Sequence, residues 1–422
     1  MNETPPLVID VVGTGLNPRR LPPGAAALVE QAQVLAGGER LLEALSSHPA
    51  ERLPIRAPIS DLVEAVDRAS RSGRRVVVLA DGDPGFFGIG KALVRALGVN
   101  RVRLHPNVTV LQAAAARTGR SWEDVRAVSL HGRSDLWPLR RALAMGRRAG
   151  VYTDRVFTPA RIARDLSDCG VDGWSMVVFE DLGRTSERIR SFEDLSRAAQ
   201  ETFSPLSFLL LERCSPPELP PILGLDDDRI LHERGMITKQ EVRAVGLARL
   251  QVEPTHVVWD LGAGSGAVAI EASRMARDGK VFAVERNPDR VGRIRENVRR
   301  AGAYVVETVP GDMPECLASL PDPDRVFVGG GAGREGLLEE VLRRLRPGGR
   351  LVMHVVLLGS LERARRLLER EGWSSSVIQV QTQRSTPLSG DLRFEAQNPI
   401  FVLSAVRPDT DLPTPRKEAT EP

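Results

Sequence analysis

At 422 residues the chain has room for two or three domains of about 150 residues each. Apolar residues make up 42% and charged residues 27%; no stretch approaches the roughly 20 apolar residues of a membrane-spanning helix, and residues 1–6 carry neither a basic nor an apolar targeting region, so a soluble cytoplasmic protein is expected. The 58 basic residues against 55 acidic leave a net charge of +3, and lysine occurs only at Lys91, Lys239, Lys280 and Lys417; arginines interleave with acids, as over 362–371, instead of forming the basic stripe of a nucleic-acid binder.

In chain order, the run 7–12 reads as a buried strand that turns through Gly13, Thr14 and Gly15 toward a helix over 23–36. Strand-like runs follow at 75–80, 101–104, 127–130, 176–179 and 207–211, separated by helical stretches such as 62–70, 91–97 and 195–200, so the first half is α/β. Prolines and acids over 214–228 interrupt both periodicities and predict a Pro-rich linker between a domain at 1–213 and one at 229–407. The polar, proline-containing stretch 408–422 predicts a disordered tail. Cys169, Cys214 and Cys316 form no C-x-x-C pair and leave an odd thiol, so neither a disulfide framework nor a metal site is expected, and a reducing compartment is.

The second half alternates more strictly. A strand at 257–260 ends in Asp260, the loop Leu261-Gly262-Ala263-Gly264-Ser265-Gly266 enters a helix over 267–277, and a strand at 281–285 ends in Glu285. Helix 289–301, strand 304–309, Gly311-Asp312-Met313, strand 325–328, helix 335–345, strand 350–356, helix 361–371 and closing strands at 376–381 and 399–406 complete a doubly wound, mostly parallel sheet. Glycines after a strand let a ligand approach the backbone, because glycine lacks Cβ and accepts positive φ. A dinucleotide fingerprint fits through Gly262, Gly264 and Ala267, and turn residues without a ligand are the plainer alternative. Asp260 before the loop, Glu285 placed for ribose hydroxyls and Gly311-Asp312 beside an adenine together resemble the class I methyltransferase fold, a Rossmann-like sheet that binds S-adenosyl-L-methionine.

Ahead of that sheet, 234–243 reads as a lid segment, with Thr238 placed to cap the following helix. With Gly311-Asp312-Met313-Pro314, Gly329-Gly330-Gly331 and Asn398-Pro399-Ile400-Phe401, residues 227–407 resemble the decarboxylating precorrin methyltransferases of cobalamin biosynthesis. Lys239 and Arg243 are then candidates for holding substrate carboxylates, Arg243 above all, or else a helix-surface pair.

In the first half, Val12-Gly13-Thr14-Gly15-Leu16, Asp81-Gly82-Asp83-Pro84-Gly85-Phe86-Phe87, His105-Pro106-Asn107-Val108-Thr109, His131-Gly132-Arg133 and Tyr152-Thr153-Asp154 occur in an order that resembles the tetrapyrrole methylase family over 7–212. In that family two α/β subdomains enclose S-adenosyl-L-methionine and a porphyrinoid lies in the trough between them. The resemblance implies cofactor contacts from Gly13, Gly15, Leu16, Asp81, Asp83, Phe86, Phe87 and Thr109. Asp81 and Asp83 are also open to an Asx turn. His131 reads as a general base or as a side chain satisfied by turn backbone, and Arg133 as a fork for a substrate carboxylate.

Fusion of these two types in this order resembles the bifunctional decarboxylating precorrin methyltransferases. That implies one S-adenosyl-L-methionine per domain, two methyl transfers to meso carbons of a precorrin macrocycle, loss of the ring C acetate carboxylate, homo-oligomers, and no nucleic acid, membrane or metal. The rivals are a tRNA adenine methyltransferase, which asks for an RNA-binding module and a basic run that the first half lacks, and a chain in which one half is a non-catalytic scaffold.

Overall fold

Residues 7–56, 58–220 and 222–409 are described by a computed structural model; the segment read for a targeting signal and the tail from residue 410 onward lie outside them. The chain divides into two units, Met1–Leu139 with Gly146–Arg164 and Trp174–Arg213, and Arg140–Met145 with Asp165–Gly173 and Cys214–Pro422.

The first unit opens with a parallel sheet of β1 (Ile9–Gly13), β2 (Val34–Gly37), β3 (Glu51–Pro54), β4 (Val76–Ala80) and β5 (Val102–His105), in the order β3-β2-β4-β1-β5. Every residue of β4 is buried, as expected of a strand covered on both faces. The helix expected over 23–36 stops at Glu30. Val34, Leu35 and Ala36 are instead buried in β2, so ladder pairing between β3 and β4 overrides the helical pattern that alanines had set. A second, mixed sheet contains β6 (Val125–Ser129), β7 (Arg148–Tyr152), β8 (Trp174–Glu180), β9 (Arg188–Phe192) and β10 (Ser207–Arg213), ordered β6-β7-β10-β8-β9.

In the second unit β11 (Val257–Leu261), β12 (Lys280–Glu285), β13 (Val306–Pro310), β14 (Arg325–Val328) and β15 (Arg350–Val355) run parallel, and β16 (Ser374–Val380) and β19 (Ile400–Val406) close the sheet antiparallel. Its order is β13-β12-β11-β14-β15-β19-β16. The doubly wound sheet with a closing strand pair is therefore present, with an apolar layer on each face. Between β16 and β19 the chain makes a separate hairpin of β17 (Gln383–Leu388) and β18 (Asp391–Ala396). Because β12 and β14 flank β11 on opposite sides, the chain reverses direction there and opens a crevice at the strands' carboxyl ends.

Residues 214–228 are not a free linker. Leu219 and Leu225 are buried in the second unit's core, and the Glu271 carboxylate accepts the backbone N–H groups of Gly224 and Leu225, each at 3.0 Å. Leucines spaced between the prolines supply the apolar surface that a proline count overlooks.

Candidate functional site

In the first unit three loops meet at the carboxyl end of β1. The Thr14 hydroxyl and backbone N–H both donate to the Ala80 carbonyl, at 3.0 and 2.8 Å. Gly15 and Gly82 pair through two hydrogen bonds of 3.2 and 3.1 Å. Asn107 donates Nδ2 to the Gly13 carbonyl at 2.9 Å, and a Cβ on Gly13 would lie 2.5 Å from the Gly82 oxygen. This close approach is what requires glycine there.

Asp83 closes an Asx turn by accepting the Gly85 N–H at 2.7 Å, while the exposed Asp81 carboxylate pairs with Arg40. Thr109 caps the helix Val110–Thr118 in a reciprocal box with Gln112, so its hydroxyl is already engaged. Leu16 and Phe86 pack against the cluster of Leu111, Phe179 and Phe208. Phe87 is different: it holds φ at +55° with 56% of its surface exposed, its ring 4.9 Å from Phe86 and 5.6 Å from Tyr152. A bulky side chain in the left-handed region is strained and marks a constrained site. His131 and Arg133 stand exposed on the turn after β6. The Asp154 carboxylate accepts N–H groups from Phe157, Val156 and Gly132, at 2.6, 2.8 and 3.3 Å. Burial raises its pKa, but those bonds and the nearby His131 outweigh it and hold the carboxyl below the usual range.

In the second unit the glycine loop lies at the crevice. Gly262, Gly264 and Gly266 take φ of +71°, +58° and +78°. A Cβ on Gly262 would lie 2.7 Å from the Gly330 oxygen, whereas one on Gly264 would meet nothing nearer than 4.0 Å. The first glycine therefore permits close packing against the β14 loop, and the second leaves open space above the turn. Glu285 accepts the N–H groups of Gly264, Arg286 and Asn287, each at 3.0 Å, which ties the end of β12 to the loop after β11. Asp260 is buried beneath and accepts the Ala269 N–H at 3.0 Å. Burial, with some repulsion from Glu285, pushes its carboxyl up to about 7 against the pull of that hydrogen bond. Gly311 donates to the Glu285 carbonyl at 3.1 Å. Asp312, largely exposed, pairs with Arg334 at 2.7 Å, and Arg334 also donates to the Met313 carbonyl at 3.2 Å.

Two expectations are corrected. Arg243 is fully buried, donating to Glu271 at 2.7 Å, to Asp227 at 3.2 Å, to the Thr238 carbonyl at 2.6 Å and to the Leu225 carbonyl. Its guanidinium is surrounded by its own acceptors and stands as a structural ion pair, not a contact for substrate carboxylates. Thr238 does not cap the helix: Gln240–Leu250 begins one residue later, with Lys239 at the cap position and no side-chain cap, because the first intrahelical bond runs from the Arg243 N–H to the Lys239 carbonyl at 2.7 Å.

Two polar residues in the interior were not singled out beforehand. Asn297 is buried and donates Nδ2 to the carbonyls of Leu231 and Ser265, at 2.8 and 2.9 Å, which fastens the preceding segment to the glycine loop. A signal existed, since Asn297 falls on the buried stripe of Val291, Ile294, Val298 and Ala301 in its helix. His354, near the end of β15, packs its ring 4.6 Å from Phe327 and against Gly246, and its Nε2 is buried with no partner among the described residues. Burial pushes the imidazole down to about 4. The unfolded chain therefore binds the proton first, and stability falls as pH drops from about 6.5 toward 4. His354→Phe should remove this loss: in urea unfolding the variant gains up to about 3 kcal/mol on wild type between pH 7 and pH 4, and parallel pH profiles would contradict it.

Among the described residues no group of three or more His, Cys, Asp or Glu is placed to hold a metal ion, and no helix is long and apolar enough to cross a membrane.

Comparison with known proteins matches residues 8–196 to the tetrapyrrole (corrin/porphyrin) methylases and residues 229–407 to the precorrin methyltransferase domain. A precorrin-6Y C(5,15)-methyltransferase (decarboxylating) from Sinorhizobium sp is 32% identical over 381 residues, covering 89% of this chain and 90% of its own. Two shorter relatives come from Salmonella typhimurium. A cobalt-precorrin-7 C(5)-methyltransferase is 36% identical over 43% of this chain and 89% of its own, and a cobalt-precorrin-6B C(15)-methyltransferase (decarboxylating) is 34% identical over 40% of this chain and 88% of its own. With a relative above 30% identity matched along nearly the whole of both chains, the protein belongs to the precorrin-6Y C5,15-methyltransferase (decarboxylating) family.

Proposed function

We propose that the chain methylates precorrin-6Y at carbons 5 and 15 and removes the carboxylate of the ring C acetate, giving precorrin-8 in cobalamin biosynthesis, with one S-adenosyl-L-methionine per domain. The observation that carries this is the match along about nine-tenths of both chains to a relative named for both methylations and the decarboxylation. The first domain takes carbon 5 and the second takes carbon 15 with the decarboxylation. The two shorter relatives, each named for one of these steps and each matching less than half of this chain, support the division.

The residues present fit the cofactor in the second unit: open space above Gly264, the Glu285 carboxylate at the end of β12 and Asp312 at the end of β13. Glu285 would meet the ribose hydroxyls, Gly311, Asp312 and Met313 the adenine, and Ala263, Ser265 and Gly266 line the turn; Asp260, buried beneath, would support the site by anchoring the start of the following helix through the Ala269 N–H. In the first unit the convergent loops around Gly13, Gly15, Asp81, Asp83 and Thr109, with Phe87 above them, form the corresponding cradle. S-adenosyl-L-methionine supplies a methyl group on a sulfonium. The protein's part is to hold a nucleophilic carbon in line at roughly 3 to 3.5 Å, and positioning of that kind can account for most of the acceleration. In the decarboxylation the bond from the acetate methylene to its carboxylate breaks, carbon dioxide leaves, the electron pair enters the conjugated macrocycle and the methylene carbon takes a proton.

Incubation of the purified protein with S-adenosyl-L-methionine and precorrin-6Y tests the whole proposal by product mass. Two methyl gains with one loss of carbon dioxide are expected, and an unchanged macrocycle would refute it.

A further inference from the structure

The carboxyl end of β15 carries an apolar lip that the cofactor loops leave unexplained. Val355 is buried, but Val356, Leu357 and Leu358 directly after it are exposed to 57, 69 and 67% of their surface. The helix that begins here, Leu358–Arg370, packs its other side inward through Ala364, Leu367 and Leu368, so the lip is not a frayed piece of the core. Three consecutive large aliphatic side chains held in water at the edge of a binding crevice mark an interaction surface.

Arg363, one turn further, says what kind. The neighbouring arginines of this helix are neutralised: Arg365 and Arg366 pair with Glu362, and Arg370 with Glu371. Arg363 has no acidic partner among the described residues. It donates Nη2 to the Ser360 hydroxyl at 3.0 Å, and the same nitrogen lies 3.5 Å from where a Cβ on Gly333 would stand. Its guanidinium thus reaches across to the loop after β14, the loop whose Gly330 packs on Gly262. An apolar lip beside an uncompensated cation is complementary to a body with apolar faces and carboxylates on its rim.

We propose that Val356, Leu357, Leu358 and Arg363 form the docking face for the polycarboxylate macrocycle in the second unit, the aliphatic side chains against the ring system and the guanidinium on a rim carboxylate. This rests on the function proposed above. The full-length variants Leu357→Ser/Leu358→Ser and Arg363→Ala test it. All three positions are exposed, so the substitutions should leave the fold intact. With precorrin-6Y as substrate, KM for decarboxylation and methylation at carbon 15 should rise at least tenfold in each variant, with Arg363→Lys intermediate, while cofactor affinity and the mass in sedimentation velocity stay at wild-type values. Unchanged KM with an active wild type overturns the docking face alone. A fall in mass accompanying the kinetic change would overturn it in favour of an interface between copies. A wild type inert toward precorrin-6Y would instead bring down the function on which it rests.

Discussion

Arg243→Ala should cost the second unit about 3–5 kcal/mol of stability, the loss expected when one partner of a buried ion pair is removed and the other is left charged and uncompensated. Glu271 is 1% and Asp227 8% exposed, so neither carboxylate has bulk solvent to compensate the lost guanidinium. Glu271 would keep the Gly224 and Leu225 N–H groups, and Asp227 would keep Arg384, 2.9 Å away at the base of the β17–β18 hairpin. The Thr238 and Leu225 carbonyls would lose their donor. The segment 224–243 is therefore expected to loosen from the sheet. Urea unfolding followed through Trp259 and Trp373 should show the second unit's transition at much lower denaturant. Arg243→Lys should recover only part of the loss, since one ammonium cannot span acceptors that a planar fork reaches on several sides. A variant with wild-type stability and a defect confined to decarboxylation would contradict the structural role.

That arginine marks where sequence reasoning reached its limit. The architecture of the second half was legible because its information is local: aliphatic runs of strand length, glycine turns and acids at strand ends. The same local signals placed Gly262, Gly264, Asp260 and Glu285 on one edge of the sheet. Arg243 stood in a polar lid segment, and nothing within ten residues told that Glu271, 28 positions on, would enclose it. Asn297 went unnoticed for the same reason, its partners lying 66 and 32 positions before it. The β17–β18 hairpin was missed on other grounds. Every residue of β18 is exposed and Pro387 interrupts β17, so there was no inward face for a period of two to report. In the first half β3 was hidden by its polarity, Glu-Arg-Leu-Pro being an edge strand with no buried residue. The aliphatic lip at 356–358 was visible as apolar residues, but its exposure was not; periodicity gave Val356 to the end of a strand and left Leu357 and Leu358 between it and a helix expected from 361, whereas the helix begins at Leu358.

Gly13→Ala and Gly262→Ala should disable different halves of the protein. At Gly262 alanine would be forced into the left-handed region at φ +71°, a cost of roughly 1–2 kcal/mol. Its methyl would also fall 2.7 Å from the Gly330 oxygen. That oxygen cannot simply retreat, because the Gly329 and Gly330 N–H groups are held by the Leu261 carbonyl at 3.0 and 3.3 Å. At Gly13 the obstacle is the Gly82 oxygen at 2.5 Å, on a residue locked to Gly15 by two hydrogen bonds, so relief there means opening that bridge. A shift of about 1 Å in either cradle is enough to cost on the order of 100-fold in rate. Calorimetric titration with S-adenosyl-L-methionine should find two sites in the wild type and one in each variant, a result independent of the order of the reactions. With precorrin-6Y, Gly262→Ala should lose decarboxylation and methylation at carbon 15, and Gly13→Ala should lose methylation at carbon 5. Two sites retained in both variants would show that the glycine turns do not hold the cofactor. A single site in the wild type would confine the methyl donor to one half and leave the other without its assigned chemistry.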